Sequence, residues 1–470
     1  MQKHTLRARL AKVAAVAAVA SVGAAAVMAS ASVAGADPKQ FEDPLVGVGS
    51  DTTQDILDAF TGEVNGTRFI PLRSGPASGR AQLASWRAVQ EDAGGSPVAC
   101  IQPSGGILVD RPNGSGNGRR ALSAAIGPAS QRGWGRSDVG CTTVRANMSG
   151  LVDFARSSSG ASATSGPLTF VPFARDALQW AYSAPDAASA VSDLTTAQVR
   201  QLHVTGGTSQ VLNVGGTRII ACRIQSGSGT YESWHEDMFP GDSPPPDSGN
   251  VTLLNQSTAE CAGAFDAVQQ GINGIQEHDP QGLYDVCERI RNGYTPVGGG
   301  SAVAAQPNTQ CIIGYSAANW VAQFNGLGTR SLDVDGAGTD APPVANTGGA
   351  FNLGTQNGGA AAYTISGSTA SPNPTYYADT TFGRDVFNVI PTVAITEPGF
   401  EATREMFLTG FDSEGPGSGP AMCTAAAATT RSLLGFAAPS QACGFYSATA
   451  NKRAYDTACL GTVGSAETAC

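Results

Sequence analysis

The chain has 470 residues, of which 41% are hydrophobic, and it carries a formal net charge of −10. This acidic balance disfavours nucleic acid and anionic membranes as partners, because both repel a negative surface. The length exceeds one ordinary hydrophobic core and favours two lobes.

Residues 1–36 have the pattern of a secretory signal. Four basic residues precede an Ala/Val-rich run, and Ala34-Gly35-Ala36 predicts cleavage after Ala36. No cysteine follows the run as a lipid-anchor site, and no later segment is long and apolar enough to span a bilayer. We therefore expect Sec-type export to the outside, without membrane insertion. The leader holds four of the 28 basic residues and no acidic one, which leaves the exported chain near −14.

Ten cysteines follow the leader. Their even number predicts disulfide bonds formed in an oxidising compartment, and the absence of any CxxC pair disfavours zinc or redox chemistry. Connectivity cannot be derived from spacing; the local pairs Cys423–Cys443 and Cys459–Cys470 are offered as hypotheses.

Three Ser/Gly/Thr segments each run into a helical pattern. They are 49–53 before a helix at 54–60, 114–118 before 119–126, and 226–230 before 231–239. The start of a helix leaves N–H groups without partners and carries partial positive charge, while glycines admit a ligand closely and hydroxyls donate. Three such ends aimed at one point would bind a small oxyanion, although Ser, Thr and Asp also cap helices where no ligand binds.

The remaining elements follow a strand–loop–helix order. Strands are predicted at 45–49, 150–156, 168–174, 311–316 and 386–395, and helices at 193–202, 317–324, 401–408 and 423–434. The Gly- and Asn-rich stretch 326–380 is predicted to be a long loop or an elaborated hairpin region. This order is typical of α/β folds with a largely parallel sheet.

Signals of an enzyme are weak. The exported chain has three histidines and none of the GxSxG, HExxH or phosphate-loop motifs, so no catalytic residue, metal or cofactor is assigned. His235 is interpreted as solvent-facing on its helix. Glu277-His278-Asp279 is interpreted as a hydrated turn, with a place at the mouth of a cleft as the alternative.

The order of these segments resembles a known family. Stretches 46–54, 114–121, 151–158, 194–206, 225–230 and 314–323 match it in order. The chain resembles the PstS-like phosphate receptors of ABC transporters, of the type 2 periplasmic-binding-protein fold, in a secreted actinobacterial-type variant. The resemblance implies an α/β fold of two lobes, each a mainly parallel sheet flanked by helices. Lobe one would comprise 43–166 and 379–470, lobe two 167–325, with 326–378 as a loop insertion.

The resemblance also implies which residues bind the ligand. The implied set is Thr52, Thr53, Ser115, Arg156, Ser158, Ser228, Gly229 and Thr230. Ser158 stands where the family has an Asp that accepts a hydrogen bond from a protonated phosphate, which puts a preference for hydrogen phosphate in doubt. The family's arginine falls at Ile224, so Arg223, Arg156 or Arg119 would supply the counter-charge.

We therefore expect a monomeric extracellular solute-binding protein that captures phosphate or a related oxyanion for an ABC transporter permease. Two alternatives stay open. One is a secreted surface or interaction protein that keeps the fold without transport, and the other is a secreted hydrolase.

Overall fold

A computed structural model describes most of the chain beyond the leader. The described residues are 44–74, 81–90, 98–103, 106–137, 139–161, 163–203, 210–225, 227–238, 257–332, 347, 349–410 and 419–468. The predicted signal peptide lies outside them. Within them, no helix is long and apolar enough to cross a bilayer.

The described helices are mostly short. They are α1 (Gln54–Thr61), α2 (Gly114–Ile126), α3 (Thr196–His203), α4 (Gly229–Met238), α5 (Ala259–Gly263), α6 (Ala267–Gly271), α7 (Pro280–Asn292), α8 (Ala317–Phe324), α9 (Pro374–Tyr377), α10 (Glu401–Phe407) and α11 (Ala425–Leu433).

The described strands begin with five-residue β1 and include one of 16 residues, β10. They are β1 (Leu45–Gly49), β2 (Glu63–Val64), β3 (Thr67–Arg68), β4 (Leu83–Ser85), β5 (Cys100–Ile101), β6 (Val109–Asp110), β7 (Gly133–Trp134), β8 (Ala146–Asn147), β9 (Phe154–Ser157), β10 (Leu168–Ser183), β11 (Asp193–Leu194), β12 (Leu212–Val214), β13 (Thr217–Ala221), β14 (Thr309–Ser316), β15 (Phe351–Leu353), β16 (Thr355–Gln356), β17 (Tyr363–Ser366), β18 (Thr369–Pro372), β19 (Gly383–Pro391), β20 (Lys452–Arg453) and β21 (Leu460–Gly461).

One large sheet organises the described chain. Its strand order is β12-β13-β14-β10-β19-β9-β1-β4, with β15 and β20 also paired to β10. The pairs β1–β4, β1–β9 and β13–β14 are parallel, whereas β10 and β19 pair antiparallel with each other and with their neighbours. The predicted α/β class is confirmed, and the sheet is mixed.

Strand β10 links the two ends of the sheet. Nine of its first ten residues pair with β19, with a register shift at Phe173, and its last six pair with β14. Separate apolar clusters pack at the β1 end, around Phe60 and Phe154, and at the β13 end, around Cys287 and Tyr315. The sequence pattern predicts only residues 168–174 of β10, because the charged Arg175 and Asp176 end the apolar run. The lobe boundaries remain a prediction.

Other boundaries differ from prediction in ways that glycine explains. Helix α2 begins five residues earlier than predicted and includes the whole Gly114–Gly118 segment. Gly114 has φ +85°, and a Cβ on Gly118 would lie 2.5 Å from the Cα of Gly49. The glycines therefore let the start of α2 pack directly on the end of β1. The described residues between 349 and 378 form short strands, including the β17–β18 hairpin, and bury Phe351 and Leu353 in the core.

Four disulfide bonds are described. They are Cys100–Cys141, Cys222–Cys261, Cys287–Cys311 and Cys423–Cys443. The last confirms one predicted local pair. For the other, Cys470 lies outside the described residues.

Candidate functional site

The loop after β1 is buried up to the start of α1. Ser50, Asp51, Thr52 and Thr53 are each at most 4% exposed, and the N–H of Gln54 donates to the carbonyl of Asp51. The hydroxyl of Thr53 is buried and has no hydrogen-bond partner among the described residues. The hydroxyl of Thr52 instead contacts Thr230, in the helix that follows β13.

Ser115 and Ser158 form a second element of the site. Their hydroxyl oxygens are 3.1 Å apart, and the backbone N–H of Ser158 donates to the Ser115 oxygen at 3.0 Å. Both are fully buried. A Cβ on Gly229 would lie 2.3 Å from the Ser158 oxygen and 2.6 Å from the Ser115 oxygen. Only glycine at 229 allows the start of α4 to approach this pair.

The third segment supplies a helix cap and a donor. The Ser228 hydroxyl accepts from the N–H groups of Thr230 and Tyr231, which is the geometry of an N-cap. The Thr230 hydroxyl lies 3.1 Å from that of Thr52. The starts of α1 and α4 therefore meet directly through Thr52 and Thr230. The start of α2 also approaches α4, because Ser115 lies against Gly229.

A carboxylate fills the point where the two threonines meet. The hydroxyls of Thr52 and Thr230 each donate to Oε1 of Glu277 at 2.5 Å. His278 contacts the same oxygen through Nε2 at 2.7 Å, while its Nδ1 accepts from the N–H of Ser316. Glu277 is fully buried, and its Oε2 has no hydrogen-bond partner among the described residues. The interpretation of 277–279 as a hydrated turn is therefore wrong.

Glu277 is held in its charged form. Burial favours the neutral acid, but the hydrogen bonds that Glu277 accepts from His278, Ser228 and Thr230 outweigh it and hold the pKa of Glu277 well below its ordinary value. His278 has φ +56°, an uncommon conformation for a residue other than glycine. The fold thus holds an anionic oxygen at the donors, next to a strained backbone.

Two arginines surround this cluster. Arg384, on β19, donates through Nη2 to the Thr230 hydroxyl at 2.6 Å and to Asp176 at 2.9 Å. Arg330 pairs with Asp51 at 3.1 Å and donates to the backbone carbonyl of Glu277. We define the Glu277 cluster as Thr52, Thr230, Glu277, His278 and Arg384.

The structure places the predicted arginines elsewhere. Arg156 is fully buried and donates to the carbonyls of Gly49, Ser50 and Trp86 and to the Ser85 hydroxyl. Arg223 donates to the carbonyl of Asn273, and Arg119 to hydroxyls of Ser157 and Ser159. The positive charge beside the threonines comes instead from Arg384. The sequence could have indicated Arg384 only by its position just before the predicted apolar strand 386–395.

The histidine on α4 differs from its predicted placement, and the described side chains also bear on whether a metal could bind. His235, interpreted as solvent-facing, is fully buried, because α4 packs that side against the sheet. In the part of the chain that the structure describes, no group of three or more His, Cys, Asp or Glu side chains could hold a metal ion.

Buried carboxyl groups near the first loop make stability depend on pH. Burial raises the pKa of Asp58 to about 7 although Arg87 opposes the shift, and burial raises that of Asp51 to about 6 against the opposing Arg330. When the pKa of an acid is higher in the folded than in the unfolded state, the protein becomes less stable as pH rises through the interval between the two pKa values.

We therefore expect the melting temperature to rise as pH falls from 8 to 5. Asp58→Asn should flatten this slope, because the carboxyl costs up to about 4 kcal/mol at pH 8 at about 1.4 kcal/mol per pKa unit. Thermal unfolding followed by circular dichroism at four pH values measures it. The exposed control Asp186→Asn should keep the wild-type slope; an equal slope in Asp58→Asn would contradict the assignment.

Comparison with known proteins gives remote likenesses. No protein-family model and no curated protein sequence matches the chain. An ABC-type phosphate transport receptor from Vibrio cholerae is 12% identical with a TM-score of 0.36, over 84% of this chain and 100% of that one. PstS from Borrelia burgdorferi is 13% identical with a TM-score of 0.35, over 85% and 100%. A possible phosphate binding protein from Planctomyces limnophilus is 10% identical with a TM-score of 0.28, over 78% and 84%.

Proposed function

We propose that the chain is an extracellular solute-binding protein that captures phosphate or a related small oxyanion between two lobes. One observation carries the proposal: Thr52 and Thr230, from helix starts at opposite ends of the sheet, donate to the same anionic oxygen at 2.5 Å. Donors that converge in a buried place suit a negatively charged oxygen better than a neutral one. Delivery to an ABC transporter permease is part of the same proposal.

The local field supports the proposal despite the acidic surface. Arg384 lies 2.6 Å from the Thr230 hydroxyl, and helices α1 and α4 both begin at the Glu277 cluster. A helix start contributes partial positive charge over its first turn. Binding would thus come from local donors and dipoles, since the net charge of the chain opposes it.

The effect of removing a donor tests the proposal. Ser115→Ala and Thr230→Ala should each weaken phosphate binding by about 1–3 kcal/mol, the cost of a lost hydrogen bond to a charged group. Isothermal titration calorimetry measures the affinity. The exposed control Thr67→Ala on β3 should bind as the wild type does, and unchanged affinity in both site variants would contradict the proposed site.

One observation favours a second candidate function. The anionic oxygen at the donors belongs to the chain itself, so the site is already satisfied by Glu277. A protein that keeps the fold as a secreted surface or interaction module would need no other ligand there. The wild type would then bind no oxyanion at any accessible concentration.

A further inference from the structure

A cavity of about 1000 Å³ adjoins the Glu277 cluster. Helix α4, strands β19 and β20 and the loop after β9 form its walls. Arg384, a member of the Glu277 cluster that donates to Thr230, lines it, and so does Ser158, whose hydroxyl lies 3.1 Å from that of Ser115. The volume is at the upper end of the range of about 300–1000 Å³ for small-molecule sites. It exceeds what a four-oxygen anion would fill.

One wall carries a buried ammonium group. Lys452 is 2% exposed, and its Nζ donates to the Thr169 hydroxyl at 2.6 Å. Among the described residues no carboxylate oxygen lies within ion-pair distance of it, and burial lowers the pKa of Lys452. A buried cation without a counter-charge is costly unless a ligand supplies one. The cavity, which Arg384 also lines, therefore suits an acidic group of a ligand.

Helix α4 contributes acidic side chains to the same cavity. Glu232, Glu236 and Asp237 of α4 all line the cavity. In the described parts of the chain, Asp237 has neither a hydrogen bond nor an ion pair within 4 Å, and burial raises its pKa to about 7 although Arg384 opposes the shift. A carboxyl group in this situation would be stabilised in its charged form by a ligand cation.

We propose that this cavity binds a small zwitterionic organic solute, with its acidic group toward Lys452 and Arg384 and its amine toward Asp237 and Glu236. The inference rests on the proposed function, since it assumes a solute receptor, and it names the class of solute. The acidic group is a phosphate monoester or a carboxylate, because both pair with the same cations.

Two matched pairs of probes test the inference by calorimetric titration of the full chain. Phosphoethanolamine is compared with ethyl phosphate, and β-alanine with propionate, so that each pair differs by the amine. We expect at least one zwitterion to bind about tenfold or more tighter than its amine-free twin, a difference of about 1.4 kcal/mol. The pair that shows it identifies the acidic group.

Two variants locate the binding. Lys452→Met should weaken binding of the zwitterion about tenfold or more, and Asp237→Asn should remove its advantage over the amine-free twin while leaving the twin's affinity unchanged. The exposed control Asp186→Asn should keep the preference. Asp237 lies on the surface of the cavity, so its variant remains informative if Lys452→Met fails to fold.

The possible failures are distinguishable. Binding of inorganic phosphate that depends on Thr230, with no preference for either zwitterion, overturns this inference and leaves the proposed function standing. A preference that persists in Asp237→Asn also overturns it. If neither inorganic phosphate nor any of the four probes binds, both this inference and the proposed function are overturned.

Discussion

Glu277→Gln is expected to raise the affinity of the chain for inorganic phosphate by about tenfold or more. The wild-type carboxylate accepts the hydrogen bonds of Thr52 and Thr230 and places a negative charge where an oxyanion would bind. Two unit charges 4 Å apart repel by about 4 kcal/mol at an effective dielectric constant of 20, and a third of that is already a factor of about ten. Glutamine keeps the shape and removes the charge. Calorimetric titration of both proteins gives the ratio.

A matched control separates this local effect from net charge. Glu63→Gln removes one exposed negative charge at β2, remote from the Glu277 cluster, and should leave the affinity unchanged. A lower affinity in Glu277→Gln would contradict the prediction. It would mean that the carboxylate accepts a hydrogen bond from a protonated anion.

Arg156→Met is expected to lower the free energy of unfolding by about 3–5 kcal/mol, the usual cost of breaking a buried, fully bonded charged group. Arg156 is buried and ties β9 to the ends of β1 and β4 by bonding Gly49, Ser50, Ser85 and Trp86. Burial lowers the pKa of its guanidinium to about 10, although Asp58 and Asp51 oppose the shift. Methionine would leave four buried acceptors without donors. Denaturant unfolding measures the loss.

The same variant separates a structural from a binding role. If Arg156 only braces the loop, the folded fraction of Arg156→Met should bind phosphate with nearly wild-type affinity. The exposed control Arg68→Met on β3 should change neither quantity. A stable Arg156→Met protein that has lost phosphate binding would restore Arg156 as the counter-charge.

Local patterns were enough to predict the α/β class and the main strand–loop–helix units. The apolar run 45–49, followed by Ser/Thr residues, became β1 and the start of α1, and the predicted helix 317–324 became α8. These elements are specified by neighbours within about ten residues, where periodicity and capping residues are informative. The predicted residues Thr52, Ser115 and Thr230 lie at or beside helix starts for the same reason, and their role in ligand binding stays a prediction.

The charged part of the site could not be predicted in this way. Glu277 contacts Thr52 across 225 residues, and Arg384 contacts Thr230 across 154. A polar loop such as 277–279 has the same local pattern whether water or buried donors satisfy it, so tertiary contacts decide. Arg156 shows the converse: the resemblance implied a ligand contact for it, but three backbone carbonyls and the Ser85 hydroxyl accept its hydrogen bonds.

Calorimetric titration of the ligand-stripped wild-type chain with phosphate, sulfate and arsenate tests the central claim most directly. We predict saturable one-to-one binding of at least one of these oxyanions, weakened in Thr230→Ala and strengthened in Glu277→Gln. Absence of heat from all three anions, in the wild type and in Glu277→Gln alike, would contradict the assignment of the Glu277 cluster as an oxyanion site.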